Sequence, residues 1–179
     1  MDSIDKTAMI YREKQRFKQP AVLISLVISG VATAGLFGFG IYRQIFLGQR
    51  FGNHPMSNAG LIIATAVVVC LYLVILFLFG FSTLTTVIGK SGIRFRFFPF
   101  QMKDRVIRWE EIETSEVVTF NPLRDYGGWG IRSKKGVRVY NVSGNKGLQL
   151  KLKSGKIILI GTQLETELTR FLTELKNRS

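Results

Sequence analysis

The sequence holds one cysteine and one histidine in 179 residues, and from Phe51 to Gly89 it holds no Lys, Arg, Asp or Glu. A lone cysteine, Cys70, permits no intrachain disulfide and, inside an apolar run, reads as a small buried hydrophobe. A lone histidine, His54, leaves no second imidazole for the common zinc sites. Acids are scarce as well, with 12 Asp+Glu against 25 Lys+Arg and a formal net charge of +13. A balance of that size attracts polyanions, and the two usual ones are nucleic acid and an anionic membrane face.

Where the charge is missing decides between them. Lys90 to Ser179 carries 18 Lys+Arg against 9 Asp+Glu, a net +9, while the uncharged block lies upstream. Ala21 to Tyr42 is a 22-residue run without a charged side chain. At a rise of about 1.5 Å per residue it reaches about 33 Å, the thickness of a bilayer core. Ala59 to Phe81 is of similar length and richer in Val, Leu, Ile and Phe. A core helix of a soluble protein needs a polar stripe, and neither run has one. "ATA" at Ala32 to Ala34 has the small residues of a signal-peptide cleavage site, but residues 1–20 make a long polar leader and the run continues to Tyr42. Both runs are therefore expected to be retained membrane spans, and nucleic acid is disfavoured because no aromatic-and-basic stacking groove is evident.

The expected organisation is an N-terminal segment over 1–20, spans over 21–42 and 59–81, a connecting loop over 43–58 and a folded domain over 85–179. Arg12, Lys14, Arg16 and Lys18 precede the first span, and Lys90, Arg94, Arg96, Lys103 and Arg105 follow the second. Only Arg43 and Arg50 lie between them. The positive-inside rule then places both termini in the cytoplasm and "GQRFGNHPMSN" outside. Gly30, Ala34 and Gly38 recur every four residues and predict a face for close helix packing, against the second span or a second copy. Met9, Ile10, Tyr11 and Phe17 suit the start of the chain either to the membrane surface or to packing on the folded domain.

After Phe81 the period changes to two. "STLTTVIG", "IRFRFF", "RVIRW", "ETSEVVTF", "VRVYNV", "GLQLKLK" and "KIILIG" read as about seven short antiparallel strands separated by turns such as "GKSG" and "SGNKG". Leu148, Leu150 and Leu152 alternate with Gln149, Lys151 and Lys153, one face buried and one wet. Leu164, Leu168, Phe171, Leu172 and Leu175 at helical spacing predict a closing helix with Thr162 as N-cap. The fold class expected is thus α+β: two N-terminal membrane helices and a small antiparallel β-barrel or sandwich closed by a C-terminal helix. In their order, "GIRFRFFPF", "VIRWEEIE", "NPLRDYGGWGIR", "YNVSGNKGLQLKLKSGK" and "ILIGTQ" resemble a family of small bacterial membrane proteins in which two spans precede a pleckstrin-homology-like (PH-like) domain. The resemblance covers most of Thr85 to Phe171. It implies the fold and the membrane attachment, and carries over no catalytic residue.

No constellation points to an enzyme. His54 falls on the outer loop, across the membrane from the folded domain, which argues against histidine acid-base chemistry and Ser-His triads. "SGNK", Ser143 to Lys146, matches S-x-x-K only by letter, since that chemistry places the serine at a helix start and this one lies in a β-turn. "GGWG", Gly127 to Gly130, lacks the spaced glycines, the Lys-Ser/Thr and the helix of a phosphate loop. Asp104, Glu110, Glu111, Glu113, Glu116 and Asp125 suit strand ends and helix starts, and no pair has a defined spacing. No catalytic residue, cofactor or metal is expected.

What remains is a binding loop. Asp125, Tyr126, Gly127, Gly128, Trp129, Gly130, Arg132, Lys134 and Lys135 combine a demanding turn with aromatics and cations, the side chains that favour a headgroup zone. A structural role explains much of this stretch: Asn121 and Pro122 stop a strand, and Asp125 with Arg132 would close the loop as an ion pair. Lys146, Lys151, Lys153 and Lys156 form a second candidate basic patch. The expected function is a non-enzymatic binding module at the inner leaflet, engaging anionic lipid or another membrane protein. The alternative is an oligomerising scaffold or an accessory subunit of a membrane complex.

Overall fold

The computed structural model describes residues 10–17 and 19–177, which divide into a helical unit, residues 19–80, and a β-domain built from the flanking stretches. In the helical unit α1, Pro20–Ile41, begins with proline at its first turn, where a missing N–H costs nothing. It continues through a π-helical turn, Tyr42–Phe46, so the first apolar helix runs four residues past the expected end at Tyr42. The second, α2, spans Asn58–Phe81. Mean hydropathies of 2.2 and 3.1 over lengths of 27 and 24 residues make both long and apolar enough to cross a membrane. Only 0% and 6% of their most apolar windows are buried, so neither serves as a soluble core helix. The loop between them is tied down by Arg43, which donates to Gln49 Oε1 at 2.7 Å, and by Gln44, which donates to the Met56 carbonyl at 2.8 Å.

Of the small-residue face on α1, Gly30 and Ala34 line the cleft against α2, together with Tyr72. A Cβ added at Gly30 would lie 3.2 Å from the Tyr72 ring, whereas Gly38 meets nothing within 4 Å. Gly30 is thus the position where the missing side chain matters. Gly30→Ile is expected to weaken the helix pair by about 1–3 kcal/mol through overpacking. Gly38→Ile is expected to leave it unchanged, and the midpoint of an SDS unfolding titration checks both.

The β-domain begins before the helices. Strand β1, Tyr11–Arg16, pairs antiparallel with β2, Thr83–Gly89, in register from Tyr11 opposite Ile88 to Arg16 opposite Thr83. β3, Gly92–Phe98, and β4, Arg105–Arg108, complete a four-stranded antiparallel sheet in the order β1-β2-β3-β4. The entire helical unit therefore occupies the place of a hairpin turn between two neighbouring strands. Of the two placements open to the N-terminal segment, residues 11–16 take the one on the folded domain, as an edge strand, and the expected domain start at Thr85 falls inside β2.

The second sheet holds five strands in the order β5-β8-β9-β7-β6: β5 Ile112–Thr119, β6 Gly130–Lys134, β7 Val137–Asn141, β8 Lys146–Leu152 and β9 Ile157–Thr162. Its β7–β9 pair is parallel. About seven antiparallel strands were expected, and the described residues form nine in a mixed arrangement. β1 and β6 escaped the alternation rule because the inward positions of β1 are Tyr11, Glu13 and Gln15, and β6 is a short edge strand with one aliphatic residue.

Both sheets turn apolar faces inward. Leu84, Ile93, Phe95 and Phe97 meet Leu148, Leu150, Ile158 and Ile160, and helix α4, Glu165–Lys176, adds Leu168, Phe171 and Leu172. Tyr140 packs edge-on against Phe95 at 4.8 Å, and its hydroxyl accepts from Arg105 at 3.0 Å. Thr162 does not N-cap α4, whose helical residues start at Glu165 after Leu164. Instead it is buried at the end of β9, accepting from the Leu164 N–H at 3.1 Å and donating to Glu13 at 2.8 Å.

Candidate functional site

The stretch from Asn121 to Gly136 resolves into a short helix, an edge strand and a tight turn. Helix α3, Pro122–Tyr126, starts with proline and carries reciprocal caps. Asn121 Oδ1 accepts from the Arg124 N–H at 3.0 Å, and Asp125 Oδ2 accepts from the Asn121 N–H at 2.7 Å. That backbone hydrogen bond, then the neighbouring Arg124, holds the Asp125 carboxyl below its usual range. Asp125 pairs with Arg124 at 3.1 Å; the expected Asp125–Arg132 closure does not form. The helix ends on Gly127 at φ 74°, which lets the Gly127 and Gly128 amides bond back to the Leu123 and Pro122 carbonyls.

The rest of the expected loop is sheet. Gly130, Arg132 and Lys134 lie on β6, and Lys135 with Gly136 forms the two-residue turn into β7, both at positive φ. Tyr126 packs edge-on against Phe120, and burial followed by the Asp125 charge pushes its hydroxyl up. Trp129 sits edge-on against Phe17 at 6.2 Å, so its ring is held by the segment that joins β1 to α1. Its buried Nε1 has no hydrogen-bond partner among the described residues. Of the nine residues singled out, Asp125 to Trp129 thus have structural work, Gly130 opens β6, and Arg132, Lys134 and Lys135 remain as exposed cations.

The lysine patch is half neutralised. Lys146 pairs with Glu165 and Lys151 with Glu113, each at 2.8 Å, while Lys153 and Lys156 stay exposed around the β8–β9 turn. Of the other carboxylates expected at structural positions, Glu111 accepts from the Arg108 N–H, Glu116 accepts from Gln149, and Asp104 lies 3.8 Å from Arg96. Ser143 accepts from Gln163 while Lys146 turns to Glu165, so the S-x-x-K letters assemble no nucleophile and base. Among the described residues no group of three or more His, Cys, Asp or Glu could hold a metal ion.

A third basic surface is assembled only by the fold. The outward positions of β1 and β3 are Arg12, Lys14 and Arg16 on one side of β2 and Arg94 and Arg96 on the other. In the sequence these cations sit some eighty residues apart, as flanking charges of two separate spans. Their strand pairing was the missing signal. No protein-family model matches the chain, and none of the curated proteins matches it either.

Proposed function

We propose that the chain is a two-span protein of a bacterial inner membrane whose cytoplasmic PH-like β-domain is a non-enzymatic module for anionic lipid headgroups. The observation that carries this reading is the insertion of two uncharged helices between β1 and β2. Residues 17–19 and Ser82 join the helices to β1 and β2 in the sequence, so a membrane-embedded helix pair would tether the domain to that membrane at two points. Tethering of this kind raises the effective concentration of lipid around a weak site. Two sheets closed by a C-terminal helix support the PH-like likeness, while the added β1 and the parallel β7–β9 pair depart from it.

The test is the melting temperature of the full chain in a neutral detergent, titrated with a short-chain phosphatidylglycerol or phosphatidylcholine. A ligand that binds only the native state raises the melting temperature. A rise with the anionic lipid alone, weakened by salt, supports the reading; equal responses to both lipids contradict it. A second reading, a homo-oligomeric scaffold, is favoured by the open face at Gly38. Cross-linking in native membranes would then give defined multimers that survive Gly30→Ile and are lost in Gly38→Ile.

A further inference from the structure

We infer that the anionic headgroups dock on the outer face of the β1-β2-β3 sheet, and not on the glycine-rich stretch or the lysine patch. This inference rests on the lipid reading above and names its site. Along the middle strand Thr83, Thr85 and Val87 form a floor of short side chains. Register places Arg12 and Arg94 on either side of Val87, and Lys14 and Arg96 on either side of Thr85. Short residues between two cationic rows leave a trough of about 770 Å³. That lies within the span of ligand clefts, about 300–1,000 Å³.

Charge complementarity fixes the sign of the occupant. Among the described residues lining the trough the one acid is Asp104, and it lies beside Arg96. Two threonine hydroxyls in the floor can donate to phosphate oxygens, and guanidinium forks suit the same group. The apolar residues choose a lipid over a free phosphate. Phe98 and Met102 line the same trough and Met102 is 72% exposed, while Phe100, 56% exposed, lies between them in the sequence with its ring against Phe97. Thr83 is opposite both Phe98 and Arg16, so this apolar end of the trough is also where β1 and β2 connect to the helices. Cations to hold a headgroup and exposed apolar side chains to enter an acyl boundary are what a lipid surface needs, and a soluble phosphate needs only the first.

The experiment uses the full chain in neutral detergent and reads dissociation constants for a short-chain phosphatidylglycerol from the melting temperature. R12Q/R94Q is expected to weaken binding by about fivefold per cation, about 25-fold for the pair. Its melting temperature without lipid should match that of the parent chain, and the milder single variants R12Q and R94Q cover the case in which the pair does not fold. R132Q/K135Q should bind like the parent. F100S/M102S should lose phosphatidylglycerol affinity, and free glycerol 3-phosphate should bind far more weakly than the lipid. If R12Q/R94Q binds like the parent while R132Q/K135Q does not, the lipid reading stands and the sheet-face site is wrong. Equal binding of glycerol 3-phosphate and lipid overturns the lipid source. No response of the parent chain to phosphatidylglycerol removes the reading and the inference together.

Discussion

A chain trimmed to residues 85–179 is expected not to fold, although it contains every strand that the alternation of the sequence makes plain. Trimming removes β1 and the first two residues of β2, and with them Tyr11 and Leu84, which are 1% and 0% exposed in the core. It also leaves β2 as a bare edge facing solvent, a template for aggregation. The complementary deletion should succeed. Because Arg16 stands opposite Thr83, residues 10–17 can be joined to 82–177 by a short glycine-containing turn in place of the whole helical unit. Far-UV circular dichroism and a cooperative urea transition distinguish the two. A single transition is expected for the joined chain and none for the trimmed one. A cooperative native-like melt of 85–179 would show that β1 is dispensable.

The second large effect is expected at Glu13. Its carboxylate is 2% exposed and accepts from the Tyr11 hydroxyl at 2.6 Å, the Thr162 hydroxyl at 2.8 Å and the Gln163 N–H at 2.7 Å. It thereby ties the edge strand of one sheet to the end of β9 in the other. Glu13→Ala strands these three donors in a dry site, at about 1–3 kcal/mol for each one left unsatisfied and roughly 3–9 kcal/mol in all. At about 4 °C or more per kcal/mol for a domain of this size, the melting temperature should fall by at least about 12 °C. A fall of only a few degrees would mean that water reaches these groups.

The same cluster sets an alkaline limit. Burial first, then the Glu13 charge, pushes the Tyr11 hydroxyl far above its ordinary value of 10.0. The folded state therefore keeps a proton that the unfolded chain releases above that value. The resulting stability is full below about pH 10 and declines as pH rises beyond it. Tyr11→Phe removes this dependence at the cost of one hydrogen bond to Glu13, which a pH series of melts would reveal.

What was legible in the sequence followed from regular apolar spacing. The two uncharged runs form the two long apolar helices, and the Leu148, Leu150 and Leu152 face and the α4 stripe bury what the pattern marks as apolar. The failures share one cause, polar residues in structural roles. Glu13 and Gln15 point inward, so β1 reads as a polar leader. Gly130, Arg132 and Lys134 form an edge strand that needs no buried face, so β6 reads as part of a loop. Asp125 caps its own helix, and the more distant Arg132 was assigned to it only by opposite charge. The basic trough was invisible for a different reason. Its two halves lie on either side of the helical unit, and only the pairing of β1 with β2 brings them together.

On the membrane reading proposed above, the helical unit crosses a membrane and the β-domain lies on one side of it. Single cysteines test it most directly, placed at His54 and at Lys135 in a Cys70→Ala background, since both positions are exposed. Sealed membrane vesicles of known orientation are treated with a membrane-impermeant maleimide before and after lysis. His54→Cys is expected to label from the outer side of intact vesicles and Lys135→Cys only after lysis. Labelling of both positions from the same side would contradict it.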